Sequence, residues 1–278
     1  MFPSEKNSLP VPPKRPQPPP KDSGKGPLPS YTAATASSSS QPQFQTRFAS
    51  VSMHMEDRLR FLYFPAETFN LCRQVVISIW KRGLQDERDY AGSKELKMYG
   101  HPWRGWGDEA IDATRLICAI LETLHGQGWV LMLNTDISNK NSDKDTLLFR
   151  HQVPSPAECD WCCIMFSKMN RIQFVDGMQS QFPHALPPYK LNRVQSHSPH
   201  SRGVYVLKLN GSPWCANGTE TMEVRALLLV LLEVLEIEGW TVYASVDQKN
   251  GSKNFSETDT WHCCRPKGWA RGAPVYHN

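Results

Sequence analysis

The chain has 278 residues, of which 40% are hydrophobic, and this is enough for the core of one large or two ordinary domains. The excess of positive charge, +4 in total, lies within residues 1–50, so that residues 51–278 carry equal numbers of basic and acidic side chains. A neutral body argues against nucleic-acid binding through bulk charge, and no apolar run approaches the roughly 18 residues of a membrane-spanning helix.

Residues 1–50 are predicted to form a disordered tail, because they hold 11 of the 22 prolines and very few aliphatic side chains. Two segments of this tail fit a PxxP motif followed by a basic residue, which is a ligand pattern of SH3-type domains. We therefore expect an SH3-type or other polyproline-binding partner, although a stiff, solvated linker explains the same composition. The predicted contact residues are Pro10, Pro13, Arg15, Pro16, Pro19 and Lys21.

Residues 55–176 are predicted to form a first folded module. Its predicted elements, in chain order, are strand 59–64, helix 66–83, strand 93–100, a helix that begins at Asp108, strands 129–137 and 145–150, and a hairpin of strands 160–169 and 171–175. The assignment rests on apolar periodicity and on the turn and capping residues between the segments.

An internal duplication links this module to the rest of the chain. A shift of 111 residues places Pro102-Trp103 on Pro213-Trp214 and Gly128-Trp129 on Gly239-Trp240, with 14 identities in 41 ungapped positions. Average composition would give only about one identity in 17. A copied structural unit is therefore expected, and it fixes the architecture more firmly than local propensities do.

The second predicted module spans residues 201–265. Its predicted elements are strand 204–211, a helix that begins at Thr219, and strands 240–247 and 259–265, preceded by a proline-interrupted linker at 177–200 and followed by a C-terminal tail at 266–278. The helix is apolar all round over residues 226–232, so we expect it to lie deeper than its counterpart in the first module. The expected class is α+β, with two repeated strand-helix-strand-strand cores and mainly antiparallel sheets.

Three phrases in the sequence resemble those of an uncharacterised family of eukaryotic, mainly fungal, proteins over about residues 55–265. They are Gly100-His101-Pro102-Trp103, Gly128-Trp129 and Asp143-Lys144-Asp145-Thr146. The resemblance implies a duplicated module with Pro-Trp, Gly-Trp and Asp-Thr motifs. It supplies no activity and no catalytic residues.

Five side chains near the predicted helix starts are candidates for ligand binding. Trp103 and Trp214 follow equivalent strands and either form a flat binding wall or, in the interpretation we favour, anchor a loop on the sheet. Trp106 has no aromatic counterpart, which makes it the better ligand candidate if it is exposed. Glu109 and Glu220 are paired carboxylates for acid–base chemistry in one interpretation, and favourable charges at helix N-termini in the other.

Two cysteine-rich runs have the chemistry of a metal site. They are Cys159-Asp160-Trp161-Cys162-Cys163 and His262-Cys263-Cys264. Thiolates and imidazole suit zinc, but only one C-x2-C pair is present and adjacent residues of a strand point to opposite faces. We expect these residues to be small buried side chains, and we expect no metal and no cofactor.

The function classes with strong local motifs find no support in the sequence. It contains no phosphate-binding glycine loop, no nucleophile elbow and no HExxH helix. The chain also begins without a secretory signal, so we expect a cytoplasmic or nuclear location with reduced cysteines and no membrane partner. The leading hypothesis is a non-enzymatic interaction or adaptor protein. The alternative is an enzyme or small-molecule-binding protein whose site lies in the crevice between the modules.

Overall fold

Two six-stranded antiparallel sheets form the body of the protein in a computed structural model. The structure describes residues 46–104, 107–137, 144–177, 194–200, 202–248 and 258–275, all within one compact unit of the chain. Residues 1–45 of the predicted tail, which include its polyproline residues, lie outside the described residues.

The first module contains six strands, two α-helices and a short 3-10 helix. They are β1 (Phe48–His54), β2 (Arg58–Leu62), α1 (Ala66–Ile79), β3 (Leu84–Tyr90), β4 (Ser93–Met98), the 3-10 helix (Pro102–Arg104), α2 (Asp108–Gly126), β5 (Trp129–Thr135) and β6 (Thr146–His151). In β1 the buried residues Ala49, Val51 and Met53 alternate with outward side chains, as expected for a strand with one face on a core. Helix α1 buries Phe69 and Val76, two turns apart.

The second module repeats the same series of strands. Its elements are β7 (Cys159–Ser167), β8 (Arg171–Val175), β9 (Val194–His200), β10 (Val204–Leu209), a 3-10 helix (Pro213–Cys215), α3 (Glu220–Ile237), β11 (Thr241–Val246) and β12 (Thr260–Pro266). Strands run β3-β4-β2-β1-β6-β5 across the first sheet and β9-β10-β8-β7-β12-β11 across the second, so equivalent strands hold equivalent places. The predicted duplication and α+β class are confirmed, with a repeat unit larger than the predicted core.

Equivalent backbone hydrogen bonds show where the two copies differ in length. The amide of Met98 donates to the carbonyl of Asp57 at 2.9 Å, and the amide of Leu209 donates to that of Asn170 at 2.8 Å. The donors are 111 residues apart and the acceptors 113, so the segment between β8 and β10 is two residues shorter than the segment between β2 and β4, while the β1–β2 and β7–β8 turns have equal length. The predicted alignment of strand 59–64 at a shift of 111 is therefore wrong by two residues.

The structure divides the body differently from the predicted module boundaries. Strands β7 and β8, assigned to the first module (55–176), pair with β12 and β10 and so belong to the second sheet. The predicted linker (177–200) contains β9, which pairs with β10 and extends that sheet. At the other end, β1 begins inside the predicted tail. The boundary between the modules therefore lies between β6 and β7.

The two sheets and their helices are stacked in alternating layers. Helices α1 and α2 share one apolar face of the first sheet. The opposite side of α2 packs on the second sheet, whose other face carries α3. The order is therefore first sheet, α1 with α2, second sheet, α3. Because a helix of one module meets the outer sheet face of the next, the modules are joined head to tail.

The outer faces of the two sheets explain this order of stacking. In the first sheet the outer side chain of Glu95 is bound by Arg58, Arg60 and Arg88 at 2.5–2.8 Å. Burial raises the pKa of this carboxyl, but the hydrogen bonds from the three guanidinium groups outweigh it and the net pKa is lowered. The equivalent position in the second sheet is Val206, which is buried. The arginines that cover Glu95 keep part of their surface in water, whereas the apolar face around Val206 is covered by α2.

The predicted depth of the second helix is wrong. Helix α2 buries eleven residues and α3 only four, although α3 is the more apolar of the two. The reason is that α2 is covered on two sides, by its own sheet and by the second sheet. Helix α3 packs on the second sheet, and Met222 and Leu229 on its outer side are more than 60% exposed.

The helix starts were predicted well and the end of α1 was not. Helices α2 and α3 begin at Asp108 and Glu220, within one residue of the predicted starts. Helix α1 ends at Ile79, before the predicted residue 83, because Trp80 is extended and its indole N–H donates to the carbonyl of Tyr99 at 2.8 Å. No helix in the described ranges is both long and apolar enough to cross a bilayer.

Candidate functional site

The two Pro-Trp pairs occupy the same local geometry in both modules. The indole N–H of Trp103 donates to the carbonyl of Arg58 at 3.0 Å, and that of Trp214 donates to the carbonyl of Arg171 at 3.3 Å. Arg58 and Arg171 are the first residues of equivalent strands. Trp103 is fully buried and Trp214 is half-buried. Each indole therefore fastens the loop before a long helix to a strand of its own sheet.

A cleft of about 260 Å³ opens at the N-terminus of α2 and is lined by Glu109. Arg82, whose Nε lies 3.5 Å from Glu109 Oε1, and Arg202 of the second module also line it. Of the predicted ligand-binding residues, Glu109 lines this cleft, whereas Glu220 is exposed in the first turn of α3. Trp106 lies outside the described residues.

An apolar interface joins α2 to the second sheet. Its buried members are Ala110, Ile111 and Cys118 of α2, and Cys163, Met165, Val175, Val204 and Val206 of the sheet. On α2 the residues follow the spacing of one helix face, and on the sheet they occupy alternate positions of neighbouring strands. This interface fills the centre of the contact between the modules, and the cleft at Glu109 and Arg202 is lined by residues of both modules.

Two polar contacts fix the position of the modules around this interface. The guanidinium of Arg115 in α2 forms two hydrogen bonds with the carboxylate of Asp176, at 2.7 and 3.0 Å, and these bonds raise the pKa of Arg115. Asp145 accepts a hydrogen bond from the amide of Asp247 at 2.8 Å, and its own amide donates to the carbonyl of Asp247 at 3.1 Å. Both contacts cross from the first module to the second.

A cluster of metal-ligand side chains lies inside the same interface. Ligand atoms of Cys118, Cys163 and His262 lie within 4.8 Å of one another, and all three residues are buried. Cys163 Sγ is 3.6 Å from His262 Nδ1. Burial lowers the pKa of His262 to about 3 and raises the pKa of the Cys163 thiol, so these groups are neutral at pH 7.

Further polar atoms surround this cluster. The side chain of Gln248 donates to Thr114 Oγ1 at 2.7 Å and to Thr260 Oγ1 at 3.2 Å. Cys163 Sγ lies 3.9 Å from the carbonyl oxygen of Thr114. Two buried atoms, Gln248 Oε1 and His262 Nε2, have no hydrogen-bond partner in the described part of the chain. Buried polar atoms without a hydrogen-bond partner destabilise a fold. A bound water molecule or ion that contacts them offsets this cost.

The outer side of α3 presents exposed apolar side chains, which we call the α3 face. Its members are Met222, Leu229, Leu232 and Ile237, which are between 36% and 64% exposed. Met222, Leu229 and Leu232 lie on one side of the helix, because spacings of seven and three residues approximate whole turns, and Ile237 lies at the edge of this side in the last turn. Met222 and Leu229 are the equivalents of Ile111 and Cys118 at a shift of 111. The surface that is covered by a sheet in α2 is thus open in α3.

Sequence reasoning identified part of the metal-ligand cluster and missed the rest. Cys163 and His262 belong to the two cysteine-rich runs singled out in the sequence, but their neighbours Cys162, Cys263 and Cys264 do not join the cluster. Cys118 comes from α2, 45 residues before Cys163 in the chain. Only the stacking of the modules brings it close, so no local spacing signals its role.

A family model of an uncharacterised domain matches the chain twice, at residues 47–150 and 160–264. These ranges coincide with the two sheets, since β1 to β6 fall in the first match and β7 to β12 in the second, apart from one or two end residues. Searches of the curated proteins and of the solved structures found no match.

Proposed function

The chain belongs to the family of this uncharacterised domain, of which it carries two copies, and we propose that it is a non-enzymatic protein that binds other proteins. The observation that supports this function is the α3 face. Soluble proteins seldom expose large apolar side chains next to one another on a helix unless a partner covers them. The chain itself provides a template for such a contact, because the equivalent side of α2 packs on a sheet.

The template defines the chemistry of the expected partner. The sheet face that covers α2 consists of small and β-branched side chains, among them Val175, Val204 and Val206. We expect the partner to present an apolar sheet face of this kind to Met222 and Leu229. A second copy stacked in the same manner is disfavoured, because its outer sheet face carries Glu95 and its arginines, which would lose water against an apolar helix.

The polyproline segments add a second proposed contact. Their residues lie outside the described residues, so this part of the proposal rests on the PxxP pattern and on the basic residues that follow it. One binding surface on the body and another on the tail would allow the chain to connect two partners, which is the task of an adaptor.

Replacement of Leu229 by glutamate is expected to weaken partner binding at least tenfold, because a charge in the centre of the α3 face must be desolvated on binding. A photoreactive amino acid at position 222 of the full chain first cross-links the partner in cells, and mass spectrometry identifies it. The recombinant partner is then titrated against the full chain and against the Leu229→Glu variant. Thermal unfolding of the variant should be unchanged, since Leu229 is exposed.

The matched control is Ile77→Glu, which places the same charge at an exposed aliphatic residue of α1. The control should bind the partner as the unmodified chain does. Deletion of residues 1–45 removes the polyproline segments and spares β1, and it should leave this affinity unchanged. Equal binding by Leu229→Glu and the unmodified chain would contradict the proposal. A cross-link only to a second copy of the chain would also contradict it, because the α3 face would then form a homodimer.

A further inference from the structure

We propose that the protein binds one zinc ion between its two modules, through Cys118 and Cys163 Sγ and a ring nitrogen of His262. The three residues come from different elements, α2, β7 and β12, and their ligand atoms lie within 4.8 Å of one another. Two thiolates and an imidazole form a donor set that zinc prefers. Because α2 belongs to the first module and both strands to the second, the ion would hold the modules together.

The distances fit a common metal ion. Ligand atoms at about 2.3 Å (sulfur) and 2.0 Å (nitrogen) from a tetrahedral zinc lie about 3.6 Å apart. Cys163 Sγ and His262 Nδ1 are 3.6 Å apart. A hydrogen bond between a thiol and an imidazole has a similar length, so this distance permits the metal without requiring it. Three protein ligands leave the fourth position of a tetrahedral site for a water molecule or another donor.

The charge balance also favours zinc. Zn²⁺ replaces the protons of the two thiols, so that two thiolates, a neutral imidazole and the ion have no net charge. A neutral site is compatible with the apolar surroundings of the cluster, which include Ile111, Met165 and Val175. A monovalent ion such as Cu⁺ in the same site would leave one negative charge buried.

The unpartnered buried atoms provide a second, independent observation. His262 is fully buried, and its Nε2 has no hydrogen-bond partner among the described residues. A histidine that binds zinc through one ring nitrogen commonly donates the N–H of the other to an oxygen acceptor. Gln248 Oε1 is such an acceptor at the same interface, and it too lacks a partner there. Zinc binding would satisfy the nitrogen, either by direct ligation or by fixing the ring so that its N–H donates to an oxygen.

Each proposed zinc ligand has an equivalent residue in the other copy of the module, and the two can be compared. Cys118 corresponds to Leu229 at the shift of 111, and the paired residues Cys163 and His262 correspond to the paired residues Ser50 and Leu148 of the first sheet. No ligand is repeated in the other copy. The three side chains therefore serve the contact between the modules rather than the fold of each module.

The test uses the full chain, purified in metal-free buffers, loaded with zinc chloride and then freed of excess metal. Elemental analysis is expected to find about one zinc per chain. Cobalt in place of zinc is expected to give the visible absorption of tetrahedral Co²⁺ and a thiolate charge-transfer band. Both signals should be lost in Cys118→Ser and Cys163→Ser. Zinc content below about a tenth of one equivalent in the unmodified chain, with no cobalt spectrum, overturns the proposal.

The matched control is Cys263→Ser. Cys263 is as deeply buried as the proposed ligands and follows His262 in the chain, but its side chain faces α3 instead of α2. This variant should keep the zinc and the cobalt spectrum, and their loss would assign the metal to other ligands. X-ray absorption of the zinc-loaded unmodified chain gives an answer even if the serine variants do not fold. A shell of two sulfur atoms and at least one nitrogen is expected, and a shell without sulfur contradicts the site.

Discussion

Replacing Val206 with glutamate is expected to destabilise the protein by about 3–5 kcal/mol, the scale of an uncompensated buried charge. Glutamate is the natural residue at the equivalent position of the first module, where three arginines bind Glu95. At Val206 the surrounding cluster is apolar and belongs to the contact with α2. Urea titration measures the loss, and thermal unfolding should show a decrease of about 10 °C in Tm.

The control for this prediction is Val206→Thr, which preserves the shape of the side chain and adds one hydroxyl instead of a charge. Its cost should be clearly smaller, about 1–2 kcal/mol, because a hydroxyl is cheaper to bury. A glutamate variant as stable as the unmodified protein would mean that Val206 faces water, and the head-to-tail stack would then be wrong.

Replacing Trp103 with alanine is expected to cost about 3–5 kcal/mol, because the change leaves a large cavity. It also removes the hydrogen bond from the indole N–H to the carbonyl of Arg58. Trp214→Ala removes the equivalent bond from a half-buried side chain and should cost about 2 kcal/mol. Urea titrations of both variants give the two values.

The urea titrations also distinguish a tryptophan that anchors its loop from one that mainly binds a ligand. If either tryptophan served mainly to bind a ligand, its alanine variant would unfold at the same urea concentration as the unmodified protein. Tyr63→Ala is a suitable control, since it removes an aromatic side chain that is 77% exposed, and its effect should be within about 0.5 kcal/mol.

The features that were predictable from the sequence are those that the duplication repeats. The shift of 111 placed both long helices within one residue of their observed starts, because capping types and apolar periodicity agree in the two copies. The returning strands β6 and β12 were predicted from the same comparison.

Two edge strands escaped the sequence analysis because they lack an apolar face. In β3 all but the first residue is exposed, and β9 is rich in serine and histidine, so neither shows the alternation of a half-buried strand. Such strands are held by backbone pairing with β4 and β10, which leaves no signature in hydropathy. The prediction of a linker at 177–200 was wrong for this reason over residues 194–200, which form β9.

The candidate site depended on how the modules pack, which no local pattern records. A hint was present in β10, where Val204 and Val206 are apolar at positions that hold Ser93 and Glu95 in β4. A strand with two apolar faces must be covered on both sides. Helix α2 provides the second cover, and this contact brings Cys118 to Cys163 and His262.

The measurement that tests the central claim most directly compares thiol labelling at Ile111→Cys and Met222→Cys, equivalent positions on α2 and α3. Both variants also carry Cys215→Ser, which removes an exposed native cysteine. Peptide mass spectrometry follows each introduced thiol under native conditions. Position 222 should react rapidly, whereas position 111 should react only when the protein unfolds. Equal labelling rates at the two positions would contradict a stack that buries α2 and leaves the α3 face open.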